Sequence, residues 1–550
     1  MSAKAWIIDG YVDEPACLGV PPYISPYIRT VAGVFLDKEI PVTYHTIDEI
    51  KKNPGLLIEA GTVDYIVIIA GMTVPGKYLG GTPATWQEIE QLGSALNGPH
   101  TFLGGPVLFG AGKSGGKTAV KKENFHVDTH LIGSPAGALS RWFSGNTPSA
   151  TFDYHIEDPW SVKGASIITQ HPCYPHVMCE IETARGCSRE VTGGCAFCTE
   201  PFYGKPQYRE QKGIVAEVAA LSSSGAIHFR IGRQPDILAW QAGSGEFPKP
   251  KPDLIEKLFS AIRIAAPSLK TLHIDNVNPG TIARHQELAY EGLLAIVRHH
   301  TPGDVAAFGL ETADPAVIEA NNLKATPDMV FEAIRIVNEA GNIRNDGIPE
   351  LLPGLNFIAG LAGETSRTYE LNREFLEKIL QSEYLIRRVN IRQLMPFEGT
   401  KAFSLNELPV NEKSFHTFKE WTRKQFDLPM LRKVFPEQTI LKSVVIEEEG
   451  EISFGRQMGS YPILVGIPMS IPKGSVIDTV VISHGMRSLT ALPYPVLINT
   501  LPHKALKWIP GLSKKGIVKI LANRPFQTIP AFEKATGLTF PPGFIDLTVP

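Results

Sequence analysis

At 550 residues the chain is too long for a single hydrophobic core, and two to four domains are expected. Its 43% hydrophobic and 20% charged residues exclude a disordered chain, and its formal net charge of −3 excludes a globally basic nucleic-acid binder, though not a local basic patch. No run approaches the roughly 20 apolar residues of a membrane helix, and the start Met-Ser-Ala-Lys-Ala-Trp lacks the signal-peptide pattern. A cytoplasmic protein without a membrane partner is expected.

Taken in order, Lys4 to Asp9 and Asp64 to Ala70 are apolar runs bounded by Gly, the pattern of buried parallel strands, and Thr101 to Pro106 reads as another strand. Helical segments near Tyr27 to Leu36 and Thr85 to Leu96 complete an α/β unit over residues 1–150. Gly116-Lys117-Thr118 invites a P-loop reading, but the first glycine that motif needs falls at Ala111, so a plain loop is expected. Residues 165–435 alternate strand and helix. The strands are Val177 to Thr183, Ile227 to Ile231, Thr271 to Asp275, Ala306 to Glu311, Leu355 to Ile358 and Val389 to Leu394. Helices over Ile214 to Leu221, Leu254 to Ile264 and Met329 to Ala340 lie between them, which calls for a parallel sheet or an α/β barrel. Residues 440–498 are short β-rich runs between Gly and Pro turns, a small all-β barrel, and residues 500–550 turn helical again. That last segment carries seven Lys/Arg against two Asp/Glu.

Six cysteines are too few for a disulfide scaffold, and five crowd between Cys173 and Cys198, as a metal site in a reducing compartment would have them. Cys187, Cys195 and Cys198 follow Arg185-Gly186 at the end of a strand. Three thiolates on one loop can bind three irons of a 4Fe–4S cube and leave the fourth open to a chelating substrate. The alternative is a zinc site closed by a fourth ligand from Cys173, Cys179, His171 or His176.

The order strand, Arg-Gly-Cys, Cys-x-Phe-Cys and then a six-strand α/β barrel resembles the radical SAM superfamily. That family's usual spacing is Cys-x3-Cys-x2-Cys, whereas this chain has Cys-x7-Cys-x2-Cys; four more loop residues cost little closure entropy. The resemblance continues through Phe197, matching the aromatic position that flanks the adenine, and His228-Phe-Arg230-Ile-Gly232, where relatives contact the methionine end of S-adenosylmethionine. Asp275 and Asn276 suit ribose hydroxyls, and Gly309-Leu-Glu311-Thr312 is similar to a strand end common in the superfamily. Gly360-Leu-Ala-Gly363-Glu364-Thr365 and Pro396-Phe-Glu-Gly399-Thr400 resemble segments of the methylthiotransferases.

The resemblance implies an α/β fold: a radical SAM partial (β/α) barrel with a Rossmann-like domain at 1–150, the barrel at 165–435, a TRAM-like β-barrel at 440–498 and a helix-hairpin-helix at 500–550. It implies a 4Fe–4S cluster on Cys187, Cys195 and Cys198, and S-adenosylmethionine contacting Phe197, Arg230, Gly232, Asp275, Asn276 and Glu311. One-electron reduction, from a donor such as ferredoxin or flavodoxin, cleaves the S–C5′ bond to methionine and a 5′-deoxyadenosyl radical. The first domain stands where relatives carry cobalamin or a second cluster; the Asp-x-His-x-x-Gly signature is absent, and Cys17 is alone there. Leu506 to Leu521 resembles a helix-hairpin-helix, as found in an archaeal group of radical SAM proteins. In it Pro510-Gly511 would present backbone N–H groups and Lys514, Lys515 and Lys519 would add charge toward a nucleic-acid phosphate, tRNA above all. The other reading is a protein or metabolite substrate, with the last two domains structural.

Overall fold

The computed structural model describes residues 3–13, 22–72, 81–112, 115–122, 125–345, 347–404 and 411–549, and Cys17 lies outside them. Strands β1 (Ala5–Asp9), β3 (Val42–Thr46), β4 (Tyr65–Ile69), β5 (His100–Gly104), β6 (Thr129–Gly133) and β7 (Ser149–Ala150) form one parallel sheet in the order β3-β1-β4-β5-β6-β7. β1 is buried along its whole length and β4 at all but Tyr65, which is why both read as unbroken apolar runs.

The second sheet does not respect the expected boundary. Its strands β8 (Met178–Glu182), β11 (His228–Arg233) and β12 (Thr271–Ile274) are joined at the edge by β2 (Tyr23–Ile24), from a region that the sequence assigns to the first domain. The helix that follows, Pro26–Asp37, is buried from Pro26 through Phe35, so it serves as a wall common to both sheets. Its Arg29 pairs with Glu217 at 2.7 Å and donates to the Glu180 carbonyl.

The arc continues through β13 (Asp304–Glu311), β16 (Leu351–Ala359) and β17 (Arg388–Gln393), linked to β12 by a bridge between Asn276 and Ala307. Among the described residues seven parallel strands thus make a partial barrel, and the six expected ones each extend or trim their expected range by a few residues. Between them β9 (Ala184–Arg185) and β10 (Gln207–Tyr208) bracket the cysteine loop, while β14 (Arg344–Asn345) and β15 (Ile348–Pro349) form a small hairpin.

Strands β18 (Ile440–Glu448), β19 (Ser453–Gln457), β20 (Leu464–Ile467), β21 (Val476–His484) and β22 (Ser488–Pro493) close a five-stranded barrel. The loop between β19 and β20 plugs the catalytic barrel. The Ser460 amide donates to His273 Nδ1 (2.9 Å), its hydroxyl to the Ile274 carbonyl (2.7 Å), and the Tyr461 hydroxyl to Asp275 (2.6 Å). Three helices, His503–Leu506, Lys514–Asn523 and Ile529–Thr536, then pack on Val480, Ile482 and Leu492 of the small barrel, and β23 (Val496–Leu497) pairs with β24 (Ile545–Asp546) to tie the segment's ends. No helix among the described residues is long and apolar enough to cross a membrane.

Candidate active site

The cysteine loop leaves the C-terminal end of β8 through Arg185. This guanidinium is buried between Glu182, the Tyr27 hydroxyl (2.6 Å) and the ring of Phe152, 3.6 Å from its centroid, which fixes where Cys187 begins. The four residues beyond the usual spacing are absorbed locally. Ser188–Thr192 coils into one 3₁₀ helix, and Gly193 and Gly194 turn back with φ of 80° and 66°, a region that favours glycine.

Asn322 holds the turn from outside by donating to the carbonyls of Thr192 (3.0 Å) and Gly194 (2.7 Å), and the Ala196 amide reaches the Asn321 carbonyl. Arg189 is paired with Glu246 at 2.8 Å and donates to Cys195 Sγ at 3.1 Å. A bonded guanidinium at the sulfur stabilises the thiolate and tunes any cluster held there.

The three thiols lie close together. Burial pushes Cys187 up to about 11 and raises Cys195 and, most strongly, Cys198; Cys195 raises Cys187 further and both raise Cys198, while Lys324 and Arg189 pull Cys195 back. Iron must therefore displace protons from these sulfurs, with Arg189 and Lys324 compensating the charge that results.

Among the described residues no three His, Cys, Asp or Glu side chains converge closely enough to share a single ion. A cube binds each thiolate to a different iron and asks for no such convergence. The fourth ligands that a zinc site would need are elsewhere. Cys179 is inside β8 beside Arg29 and Glu217, Cys173 lies near Glu447 and Lys473, His171 stacks on Tyr44, and His176 faces His228. The donor set fits a cluster.

Around it the barrel interior is polar. The sulfur-side layer holds Glu311, Lys324 and Arg392. Glu311 ends β13 with φ of 67°, a backbone cost of order 1–3 kcal/mol for a non-glycine residue, and its carboxyl is pushed up to about 7 by burial against the pull of Lys324 and Arg392. It is near enough to Cys195 to raise that thiol. Phe197 packs with Leu361 and Leu394, beyond the ends of β16 and β17.

The next layer departs from the sequence expectation. Arg230 is not at a strand end: β11 runs on to Arg233, and Arg230 sits in register with Glu180, to which it is paired, and over the ring of Tyr23. Gly232 serves that pair, since a Cβ there would fall 2.1 Å from Glu180 Oε1. That oxygen is buried and has no hydrogen-bond partner among the described residues. Asp275 accepts from Tyr461, and Asn276 donates to the Gln234 carbonyl (3.2 Å), so neither side chain is free of the fold. Charges that alternate with apolar residues along two strands (Glu180 and Glu182 in β8; Arg388 and Arg392 in β17) are a legible signal of this interior that the motif reading passes over.

Gly511 turns with φ of 74° ahead of the helix Lys514–Asn523, and Lys514, Lys515 and Lys519 stand exposed on it, in a separate part of the chain from the thiols.

Residues 181–376 match the Radical SAM superfamily. A protein of Archaeoglobus fulgidus is 39% identical over 92% of this chain and 93% of its own, and one of Methanocaldococcus jannaschii 41% identical over 89% and 93%. The ribosomal protein uS12 methylthiotransferase RimO of Aeromonas salmonicida is 29% identical, over 29% of this chain and 33% of its own. Among solved structures, the radical S-adenosylmethionine methyltransferase TsrM of Kitasatospora setae shares the fold over 73% of this chain and 75% of its own, with a TM-score of 0.50 and 13% identity. The superfamily match over residues 181–376, which takes in the three-cysteine loop, and the near-full-length likeness to two archaeal proteins make this chain a member of their family and a radical SAM enzyme, dependent on a 4Fe–4S cluster and S-adenosylmethionine.

Proposed function

We propose that the chain modifies RNA, tRNA above all, by hydrogen abstraction from a substrate presented at the cluster end of the barrel. The cluster and S-adenosylmethionine supply the 5′-deoxyadenosyl radical. In this reading Cys187, Cys195 and Cys198 hold the cluster, Glu311 and Phe197 hold S-adenosylmethionine, and a ferredoxin or flavodoxin delivers the electron. Lys324 and Arg392 compensate charge in a cavity closed from below by the Tyr461 loop.

The observation that carries the RNA target is the row Lys507, Lys514, Lys515 and Lys519. All four are exposed beside the half-exposed Trp508, and none forms an ion pair among the described residues. Unpaired lysines flanking a turn are the footprint of backbone phosphate binding, as in a helix-hairpin-helix. Deleting the segment would bare Val480 and Leu492, so substitution is the cleaner test. The triple variant Lys514→Ala, Lys515→Ala, Lys519→Ala is expected to keep its iron and lose tRNA affinity. Unchanged affinity, or no RNA binding by the parent chain, overturns the reading.

A second reading, modification of a protein or small metabolite, is favoured by the likeness to RimO, whose name gives a ribosomal protein as its target. Nucleoside profiling of a strain lacking the gene separates the two: a missing modified nucleoside supports RNA, and an unaltered profile supports the alternative.

A further inference from the structure

A second charged site lies away from the thiols, where the catalytic barrel meets the five-stranded barrel. A cavity of about 360 Å³ opens there between the start of β17, the helical segment around Asp427 and the small barrel's loops. Four arginines line it: Arg387, Arg388, Arg456 and Arg487. The carboxylates that face them do not balance the charge. Arg456 is spent on Glu447, at 2.8 Å through two bonds, and Arg487 reaches Asp427 only at 3.8 Å. Asp275 acts on Arg388 from the barrel side, but it already accepts from Tyr461 and is shared with Arg230.

Arg387 has no carboxylate partner among the described residues. It donates one nitrogen to the Tyr461 carbonyl (3.2 Å) and lies over the Phe435 ring, and its buried Nε has no acceptor there. Arg388 lies over the Tyr461 ring, 4.2 Å from its centroid. Two adjacent guanidiniums, each pushed down to about 10 by burial, are a standing cost to the fold. The cost is recovered when an anion with several oxygens enters, because a guanidinium fork pairs with two of them at once.

We propose that this cavity binds a phosphate group, either free or as the ester of a small molecule. Donors converge on it from strand and hairpin alike, more than the two oxygens of a carboxylate can use, and a dianion matches the two uncompensated charges. The volume is at the small end of ligand pockets, which suits a monomeric ligand and not a polymer backbone. The site is independent of the exposed lysine row and stands or falls without it.

Titration calorimetry on the full-length holoprotein, with inorganic phosphate, AMP and a short RNA as probes, tests this. Saturable binding of phosphate or AMP is expected, weakened about tenfold or more in Arg387→Gln and in Arg388→Gln, and a few-fold in the exposed-rim variant Arg487→Ala. The rim variant serves if the buried ones fail to fold. Equal affinity for the two probes assigns the site to the free ion, and preference for AMP assigns it to an ester. Absence of saturable binding, affinities indifferent to all three substitutions, or a loss confined to the RNA probe would each overturn the proposal.

Discussion

The two ends of the catalytic barrel solve the same electrostatic problem differently. At the cluster end each buried arginine has its carboxylate: Arg185 has Glu182, Arg189 has Glu246, and Arg233 has Glu200. Removing a charge from water is costly unless a hydrogen-bonded partner follows it, and these pairs fix the loop on which the thiols stand. At the opposite end Arg387 and Arg388 go in with an aromatic face and a carbonyl but little countercharge. The first arrangement is complete without a ligand, as a scaffold must be. The second is not, as a binding site need not be.

The contrast can be broken from either end, and the largest effect belongs to the thiols. Cys187→Ala, Cys195→Ala or Cys198→Ala should abolish the iron–sulfur chromophore and 5′-deoxyadenosine formation alike. Cys173→Ser, in a turn beside His171, should leave both intact. If Cys187→Ala assembled a normal cluster, the long-spaced ligand would be misassigned.

Next in size is Glu311. Glu311→Gln should keep its iron yet weaken S-adenosylmethionine binding by about 1–3 kcal/mol, or roughly 5- to 150-fold, the loss of a charged hydrogen-bond partner. Calorimetry showing parent-like affinity would reduce Glu311 to a countercharge for Lys324 and Arg392. Breaking the plug is of similar energy but shows in stability. Tyr461→Phe leaves Asp275 without its hydroxyl donor, and denaturant unfolding should register about 1–3 kcal/mol less. No change would mean that water replaces the hydroxyl. Smallest is the lysine row. For the parent chain the log–log salt dependence of tRNA binding should be about −2 to −4, and the triple alanine variant should flatten it by about one unit for each phosphate no longer neutralised. A slope unchanged by the substitutions would place the RNA elsewhere on the molecule.

The strands and the cysteine loop are legible because their signals are local. Apolar runs bounded by glycine mark β1 and β4, and Cys187 to Cys198 lie on one loop, so no tertiary knowledge is needed to bring them together. What escapes is set by packing at long range. Tyr23–Ile24 is only two residues long, and only its pairing with Met178 and Cys179 makes it a strand of the second sheet. Tyr461 reads as the first residue of a short β-rich run, and nothing local shows that it crosses to Asp275, 186 positions away. Arg230 reads as a strand end because strand length is poorly marked in sequence: β11 is extended by Gly232 and Arg233, the first of which leaves room for the Glu180 oxygen. Arg387 and Arg388 read as ordinary charges ahead of a strand; their shortage of carboxylates is a property of the assembled cavity.

Everything proposed for the barrel depends on three thiols of one loop holding a 4Fe–4S cluster that S-adenosylmethionine engages. The most direct measurement is iron and acid-labile sulfide analysis of the anaerobically purified chain, followed by electron paramagnetic resonance of the dithionite-reduced protein with and without S-adenosylmethionine. About four iron and four sulfide per chain are expected, with a reduced-cluster signal that shifts when S-adenosylmethionine is added. One zinc per chain, or an iron signal indifferent to S-adenosylmethionine, would contradict the cluster assignment.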